Sequence, residues 1–465
     1  MKRLAAAIVL AVIAPAGQAD VIFDWNDVAF QALRADPMGP TFGSRSLAIV
    51  HAAMYDAVNS VTRQYQPYAL DIVAAPGTSQ VAAAAQAAHD ALLGLYPSQQ
   101  PLFDARLAAS LSGIADGAEK TAGITLGQQA ANAILTLRAG DHANDPVPYS
   151  PGTLPGQWQP DPLNPSQTAL SPGWGNVTPF TLSSAGQFRP PAPPDLSSQA
   201  YTDAFIQVKS LGEKNSAART SDQTQTAIFW AYDVGGVGPP SILYNQITQV
   251  IAAQQGNTLE QNARLFALIN LAQADAGIAT WEAKYIYNFW RPVNAIRATA
   301  SYADGNPGTI EDPLWIPLGA PGDGLAPDFT PPFPAYTSGH AAFGAATFRT
   351  LADFYGTDSM DFVLHSDEFD IVRGTPVERA YSSFSQAAEE NALSRIYLGI
   401  HWAFDASEGI ALGKSVADWV FANALSAVPV PGTMLLFAAG LAAIALRRRQ
   451  IPSARTFPPR KLDCP

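Results

Sequence analysis

Two basic side chains, Lys284 and Arg291, stand seven residues apart in a segment rich in aromatic residues. Seven residues correspond to about two helical turns, so both side chains would project from one face of a helix. Such a face is commonly just solvated, but Trp281, Phe289 and Trp290 surround this pair with aromatic bulk. The pattern indicates partly buried cations, which need an anion.

A serine, a glycine and a histidine, namely Ser338, Gly339 and His340, directly precede an alanine-rich stretch that is predicted to be helical. Serine is a favoured N-cap residue, and the backbone amides at a helix N-terminus attract anions. The turn could also serve capping alone. If it binds an anion, His340 is well placed to act on that anion as an acid or a base.

A third segment contains Arg395 and His401. We expect Arg395 near the end of one helix and Gly399 at its stop, with Asp405 and Glu408 forming a capping box that opens the next helix. His401 would then lie in the elbow between two helices, from which a side chain can point into a pocket. Taken alone, a histidine in such an elbow is more often structural.

Together, the three segments supply three cations, a hydroxyl group, a backbone amide and two histidines. This set is suited to holding a tetrahedral oxyanion and to nucleophilic and acid–base chemistry on it. No other group of residues in the sequence competes with it. The remaining histidines are predicted to be structural: His51, His89, His142 and His365.

The elements that position these segments are predicted to be helices, because apolar residues recur at three- and four-residue spacing. The predicted helices include residues 261–290, 340–355, 385–398 and 406–424. Runs that alternate as strands do are scarce. We therefore expect an all-α protein built from two packed helix bundles.

A proline-rich stretch, residues 145–194, is predicted to be a long loop, because proline removes a backbone donor and interrupts helices. Trp158, Trp174 and Phe180 lie within it, so we expect it to pack on the body of the protein. The predicted N-terminal half, residues 20–200, includes this loop. The predicted C-terminal bundle, residues 201–428, contains the candidate site.

The composition describes a globular chain: 465 residues are 48% hydrophobic and 14% charged, which is enough to bury a large core. The net charge of −12 repels nucleic acid, so no nucleic-acid partner is expected. The single cysteine, Cys464, lies near the C-terminus. The body therefore has no disulfide, no cysteine nucleophile and no cysteine metal ligand.

Both ends of the chain are typical of export signals. Residues 1–19 combine two basic residues, an apolar run and a small-residue site at Ala19, so the mature protein would begin near Asp20. Residues 429–449 combine prolines, an apolar run at 434–446 and three arginines, and a tail, 450–465, follows. This layout resembles the PEP-CTERM sorting signal of Gram-negative bacteria. A membrane anchor is the alternative, although the run is short against the roughly 20 residues of a usual spanning helix.

The order Lys-x6-Arg-Pro, Ser-Gly-His and Ser-Arg-x5-His is similar to the signature of the acid phosphatase and vanadium haloperoxidase superfamily. Within it the chain most resembles the vanadium chloroperoxidases, through five short stretches: 229–233, 244–247, 289–292, 333–336 and 401–405. One departure is Thr337, where the family usually has proline before Ser-Gly-His. The serine, glycine and histidine that follow are intact.

The resemblance implies a role for each candidate residue. His401 would be the metal ligand, binding vanadium through a ring nitrogen, and His340 would act as acid and base. Asp233 would pair with Arg395. Trp281 and Phe333 would line the halide pocket. Charge and hydrogen bonds to the vanadate oxygens would come from five residues: Lys284, Arg291, Ser338, Gly339 and Arg395.

The implied activity is vanadate-dependent oxidation of halide by hydrogen peroxide to hypohalous acid, which would react with small organic acceptors. Phosphate is a similar tetrahedral oxyanion and can occupy the same site. An acid phosphatase that forms a phosphohistidine at His401 is therefore an alternative. A non-catalytic oxyanion-binding envelope protein is another, although binding alone would not need two histidines. Export implies a periplasmic, cell-surface or extracellular location, with membrane contact through 434–446 before processing.

Overall fold

The N-terminal half of the protein is a bundle of helices. The computed structural model describes residues 20–36, 38–232, 236–298, 304–320 and 330–428. Asp20 caps the first helix by accepting a hydrogen bond from the backbone of Ile22 at 2.8 Å. The α-helices of this half are α1 (Val21–Ala35), α2 (Pro40–Thr62), α3 (Gln80–Leu95), α4 (Gln100–Ser112) and α5 (Ala118–Arg138).

The proline-rich loop that follows contains one short 3-10 turn, Trp174–Asn176, and packs on the body of the protein. Its anchor is Asp275, a fully buried carboxylate of the C-terminal half. Asp275 accepts backbone hydrogen bonds from Phe180 at 2.6 Å, Thr181 at 2.8 Å and Leu182 at 3.1 Å. These bonds fix the end of the loop beside the helix that carries Lys284.

The C-terminal half is a second set of helices with one two-stranded antiparallel sheet. The strands are β1 (Ser359–Leu364) and β2 (Arg379–Ser383). The helices are α6 (Gln199–Leu211), α7 (Ser221–Phe229), α8 (Pro240–Gln255), α9 (Leu259–Tyr287), α10 (Pro292–Ile296), α11 (Gly339–Tyr355), α12 (Asp367–Asp370), α13 (Phe384–Tyr397) and α14 (Ala403–Asn423).

Helix α9 lies at the centre of the molecule and is buried along most of its length. It packs against α2 of the N-terminal half and against α11 and α14 of the C-terminal half. One apolar core therefore runs from Trp25 of α1 to Val420 of α14. Helices α11 and α14 lie so close together that a methyl group added at Gly409 would be 2.7 Å from the carbonyl oxygen of Ser338.

The predicted all-α class is confirmed, and the two-stranded sheet is a small element that the sequence analysis did not predict. Two local expectations are wrong. Helix α9 ends at Tyr287, followed by Asn288 in the left-handed conformation (φ 50°), so Arg291 does not share a helix face with Lys284. Helix α14 begins at Ala403, so Asp405 belongs to the capping box as its third helical residue, accepting from the N-cap Trp402, and not as an N-cap paired with Glu408. None of the described helices is both long and apolar enough to span a bilayer, and residues 429–465 lie outside the described part of the chain.

Candidate functional site

Lys284 and Arg291 both donate hydrogen bonds to the segment 333–335, although they project from different elements. Lys284, in the last turn of α9, donates from Nζ to the carbonyl oxygens of Pro334 at 2.8 Å and Ala335 at 2.9 Å. Arg291, just before α10, donates from Nε to the carbonyl oxygen of Phe333 at 2.9 Å. Both cations are buried. They therefore fix the approach to the Ser338 turn and bring two positive charges to it.

The Ser338 turn forms the N-terminus of α11. The Ser338 side chain accepts a hydrogen bond from the backbone of Ala341 at 3.4 Å, and its own backbone N–H donates to the carbonyl oxygen of Asp405 at 3.0 Å. Because the hydroxyl oxygen accepts from the helix, its proton can be donated to an anion. Gly339 is the first residue of α11, at the positive end of the helix.

His340 and Arg395 meet at one backbone carbonyl. His340 Nε2 lies 2.8 Å from the carbonyl oxygen of Ala231, and Arg395 Nη1 lies 3.4 Å from the same oxygen. A carbonyl oxygen only accepts, so Nε2 of His340 carries a proton in this arrangement. The segment after α7 thus brings the second histidine and the third cation together.

His401 lies in the connection between α13 and α14, held at both ring nitrogens. Arg291 Nη1 is 2.9 Å from Nε2, and Asp405 Oδ2 is 2.7 Å from Nδ1. Arginine can only donate, so Nε2 is an acceptor and Nδ1–H donates to Asp405. This tautomer points the lone pair of Nε2 toward the cationic side of the site.

Three buried basic side chains, Lys284, Arg291 and Arg395, dominate the electrostatics of the site. Burial lowers the pKa of His401 well below its usual range, and Arg291, Lys284, Arg395 and His340 lower it further through their charges. Burial also lowers the pKa of Lys284, with Arg291 adding to the effect. His401 is therefore a neutral imidazole that accepts from Arg291. A bound anion would offset the repulsion among the cations.

Asp405 contacts the candidate site in a way that the sequence analysis did not predict, because its expected role was helix capping alone. It is the third residue of α14, and it accepts from the backbone N–H of Trp402 at 3.2 Å as well as from His401. Burial raises the pKa of Asp405 to about 7, while Lys284, the Trp402 N–H and Arg291 oppose the rise. The signal in the sequence is the spacing of four residues between His401 and Asp405.

The aromatic residues predicted for the halide pocket lie together beside the cations. The rings of Trp281 and Phe333 have centroids 4.9 Å apart. The centroid of Phe333 lies 5.0 Å from Lys284 Nζ and 4.8 Å from Arg291 Cζ, within cation–π range. Trp281 also borders Gly339, since a methyl group there would lie 3.4 Å from its ring.

The proline-rich loop also contributes to this wall, which the sequence did not indicate. The carbonyl oxygen of Leu170 accepts from Trp281 Nε1 at 3.4 Å and from the hydroxyl group of Tyr285 at 2.6 Å. Asp233, the predicted partner of Arg395, lies outside the described residues. The neighbouring Tyr232 is described and fully buried.

The donor set fits an oxyanion. Among the described residues, no group of three His, Cys, Asp or Glu side chains could hold a bare metal ion. The site instead combines N–H and O–H donors with one neutral imidazole nitrogen, His401 Nε2. A metal bound as a tetrahedral oxyanion and ligated by one histidine matches this chemistry.

In fold and site together, the chain is similar to the vanadium-dependent haloperoxidases. Residues 264–429 match the family described as the VCPO second helical-bundle domain, and residues 427–449 match the PEP-CTERM protein-sorting motif. The chain is 29% identical to the vanadium chloroperoxidase of Curvularia inaequalis, an alignment that spans 83% of this chain and 79% of that protein.

Solved bacterial structures share the fold. A bacterial vanadium-dependent iodoperoxidase superposes with a TM-score of 0.74 at 25% identity, covering 88% of this chain and 97% of that one. The holo-type bacterial vanadium-dependent chloroperoxidase superposes with a TM-score of 0.66 at 17% identity, covering 86% and 96% of the two chains. These matches confirm the resemblance that the sequence motifs predicted, and the sorting motif indicates export in a Gram-negative bacterium.

Proposed function

We propose that this protein is a vanadate-dependent haloperoxidase that oxidises halide with hydrogen peroxide. The observation that carries the proposal is the state of His401, a buried neutral imidazole whose Nε2 accepts from Arg291. The charges of Lys284 and Arg395 also lower its pKa. A neutral nitrogen beside three fixed cations is the arrangement that a ligated oxyanion needs.

Each side chain of the site has a role in this proposal. His401 Nε2 is the ligand to vanadium, and Asp405 holds the ring through Nδ1. Lys284, Arg291 and Arg395 neutralise the oxyanion. The Ser338 hydroxyl and the Gly339 amide donate hydrogen bonds to its oxygens. These groups are fixed before the anion arrives, so binding requires little reorganisation.

His340 handles protons. Its Nε2–H is committed to the carbonyl oxygen of Ala231, which sets the ring orientation. An imidazole in this position can receive a proton from incoming peroxide and return it to a leaving oxygen. Bound vanadate supplies a Lewis-acid centre in its highest oxidation state, so no haem and no redox-active cysteine is needed.

The halide meets the wall formed by Trp281 and Phe333. Their rings keep water from this side of the site and border the two cations Lys284 and Arg291. Asp233 completes the proposal as the partner of Arg395. Small organic acceptors then react with the hypohalous acid that the protein forms, and phosphate competes with vanadate for the same cations.

The location proposed for the mature protein is the periplasm, the cell surface or the extracellular space. Removal of residues 1–19 would leave Asp20 as the first residue, at the position where it caps α1. The run at 434–446 would contact the membrane only before processing.

The decisive experiment compares two activities of the purified protein after reconstitution with vanadate. We expect bromide oxidation by hydrogen peroxide that depends on vanadate and is inhibited by phosphate. Hydrolysis of a phosphate ester by the vanadate-free protein is measured in parallel, because a phosphatase would use the same pocket with His401 as nucleophile. Ester hydrolysis without vanadate-dependent bromide oxidation would overturn the proposal. Oxyanion binding with neither activity would identify a binding protein.

A further inference from the structure

The backbone carbonyl of His340 receives hydrogen bonds from two side chains that no motif assigns to the site. The hydroxyl group of Tyr244, on α8, lies 3.0 Å from this oxygen, and Asn391 Nδ2, on α13, lies 2.8 Å from it. The Tyr244 hydroxyl also lies 3.3 Å from Asn391 Oδ1. Both side chains are fully buried. Two helices thus converge on the peptide group that follows His340.

Space for the Asn391 amide depends on a glycine. A methyl group at Gly344, one turn after His340 on α11, would collide with Asn391 Nδ2. The absence of a side chain at this position lets α13 approach α11 closely enough for the amide to reach the His340 carbonyl. The same helix α13 carries Arg395, so this contact also links the third cation to the first turn of α11.

The peptide group that Tyr244 and Asn391 hold continues into the anion-binding turn. Its carbonyl oxygen belongs to His340, and its N–H belongs to Ala341, which donates to the Ser338 hydroxyl oxygen at 3.4 Å. Donors on the carbonyl polarise the peptide and strengthen its N–H as a donor. Because the Ser338 oxygen accepts this bond, its proton is directed to other acceptors, such as an oxyanion. The hydrogen bonds therefore run from α8 and α13 to the pocket.

We propose that Tyr244 and Asn391 are positioning residues for the oxyanion-binding turn Ser338–His340. They orient His340 through its own carbonyl group and Ser338 through the adjacent amide, and neither touches the anion. This inference rests on the proposed function in that the anion is vanadate, but phosphate binding to the same turn tests it independently of any peroxidase activity.

The test uses isothermal titration calorimetry of the full purified chain with inorganic vanadate and, separately, inorganic phosphate. The variants are Tyr244→Phe, which removes one hydroxyl group, and Asn391→Ala. Loss of a partner that orients a ligand commonly costs 10–100-fold in affinity, so we expect vanadate and phosphate to bind at least about tenfold more weakly. In the vanadate-saturated enzyme, kcat for bromide oxidation should fall while KM for bromide stays unchanged.

Matched controls separate this role from a loss of stability. Tyr55→Phe removes a hydroxyl group that donates to the carbonyl oxygen of Gln66, in the N-terminal half. Asn270→Ala removes a buried amide that pairs with Asn245 in the core. Both controls should lower the denaturation midpoint and leave both anion affinities unchanged.

Each outcome decides a different question. Wild-type affinity for both anions in folded Tyr244→Phe would overturn the inference. Equal weakening in Tyr55→Phe would also overturn it, since the effect would then be general destabilisation. If the wild-type protein binds phosphate but not vanadate, the proposed function fails, while the phosphate affinities of the variants still decide the inference.

Discussion

Asp405 Oδ2 lies 2.7 Å from Nδ1 of His401, four residues earlier, and both side chains are buried. The pair orients a neutral imidazole whose other nitrogen accepts from Arg291, and burial together with the charges of Arg291, Lys284 and Arg395 lowers its pKa. A carboxylate in this position makes a histidine a better ligand, because it fixes both the tautomer and the ring plane. The first prediction concerns this pair.

Asp405→Ala should weaken vanadate binding by about 10–100-fold, as expected for the loss of the partner that orients a ligating histidine. The dissociation constant is measured by equilibrium dialysis. Asp56→Ala is the matched control: it removes a buried carboxylate that accepts from the backbone of Tyr68, Ala69 and Leu70, in the N-terminal half. Equal affinity loss in both variants would contradict a specific role for Asp405.

His401→Ala should lose vanadate, whereas His340→Ala should retain it and lose most turnover. His401 presents its Nε2 acceptor to Arg291, while His340 donates from Nε2 to the carbonyl oxygen of Ala231. Vanadium content per chain is measured after gel filtration. If both variants keep the metal equally, the assignment of His401 as the ligand is wrong.

Phe333 should favour the oxidation of chloride, the halide that is harder to oxidise. Its ring lies over Lys284 and Arg291 and has no titrating nitrogen, so the positive potential of the cations acts on the bound oxidant. We expect bromide oxidation and, at mildly acidic pH, chloride oxidation. Phe333→His should lower the chloride-to-bromide ratio of kcat/KM by about tenfold, or about 1.4 kcal/mol.

Phe333→Leu is the control for this substitution, since it removes the ring without adding a titrating group. It should lower both activities with a smaller change in their ratio. Bromide turnover without chloride turnover in the wild-type enzyme, from acidic to neutral pH, would refute the role of Phe333 and leave the proposed function standing.

His89 should stabilise the N-terminal half at acidic pH. Its Nδ1 lies 2.7 Å from Asp90 Oδ1, and its Nε2 lies 2.8 Å from Asp104 Oδ1, which joins α3 to α4. The hydrogen bond with Asp90, followed by that with Asp104, raises the pKa of His89 against the opposing effect of burial. The stabilisation is therefore fully present below the unfolded pKa of about 6.5 and is lost as pH rises through the folded pKa.

His89→Gln should accordingly lower the free energy of unfolding by about 1 kcal/mol at acidic pH, and the deficit should shrink as pH rises. Urea unfolding across this pH range measures the difference. His142→Gln, at an exposed histidine that lies 2.9 Å from Asp145, is the control and should change little. A deficit at His89 that does not vary with pH would show that the imidazolium has no such role.

Export should produce a mature N-terminus at Asp20. The Asp20 side chain caps α1 and accepts a hydrogen bond from Asn262 Nδ2 at 2.5 Å. Cleavage after Ala19 would keep both hydrogen bonds in the mature protein. N-terminal sequencing of protein exported by a Gram-negative host measures the cleavage site. Retention of Met1 would contradict the signal assignment.

The sequence by itself determined the class of fold and the principal candidate residues. Ser338, Gly339 and His340 are contiguous, and Arg395 and His401 lie on one short segment, so their types and spacing could be recognised without coordinates. The helices around them were predictable because apolar periodicity is a local property. The proline-rich stretch was recognisable for the same reason, since proline interrupts a helix wherever it stands.

Only the tertiary structure decided how these groups meet. Arg291 leaves the helix of Lys284 yet reaches the same segment, because the left-handed Asn288 turns the chain. Asp405 became the partner of His401, and Tyr244 and Leu170 reached the site from other elements. Contacts within the site join residues as much as 164 positions apart. They follow from the packing of whole helices around α9, a sum of many weak apolar contacts that no local pattern encodes.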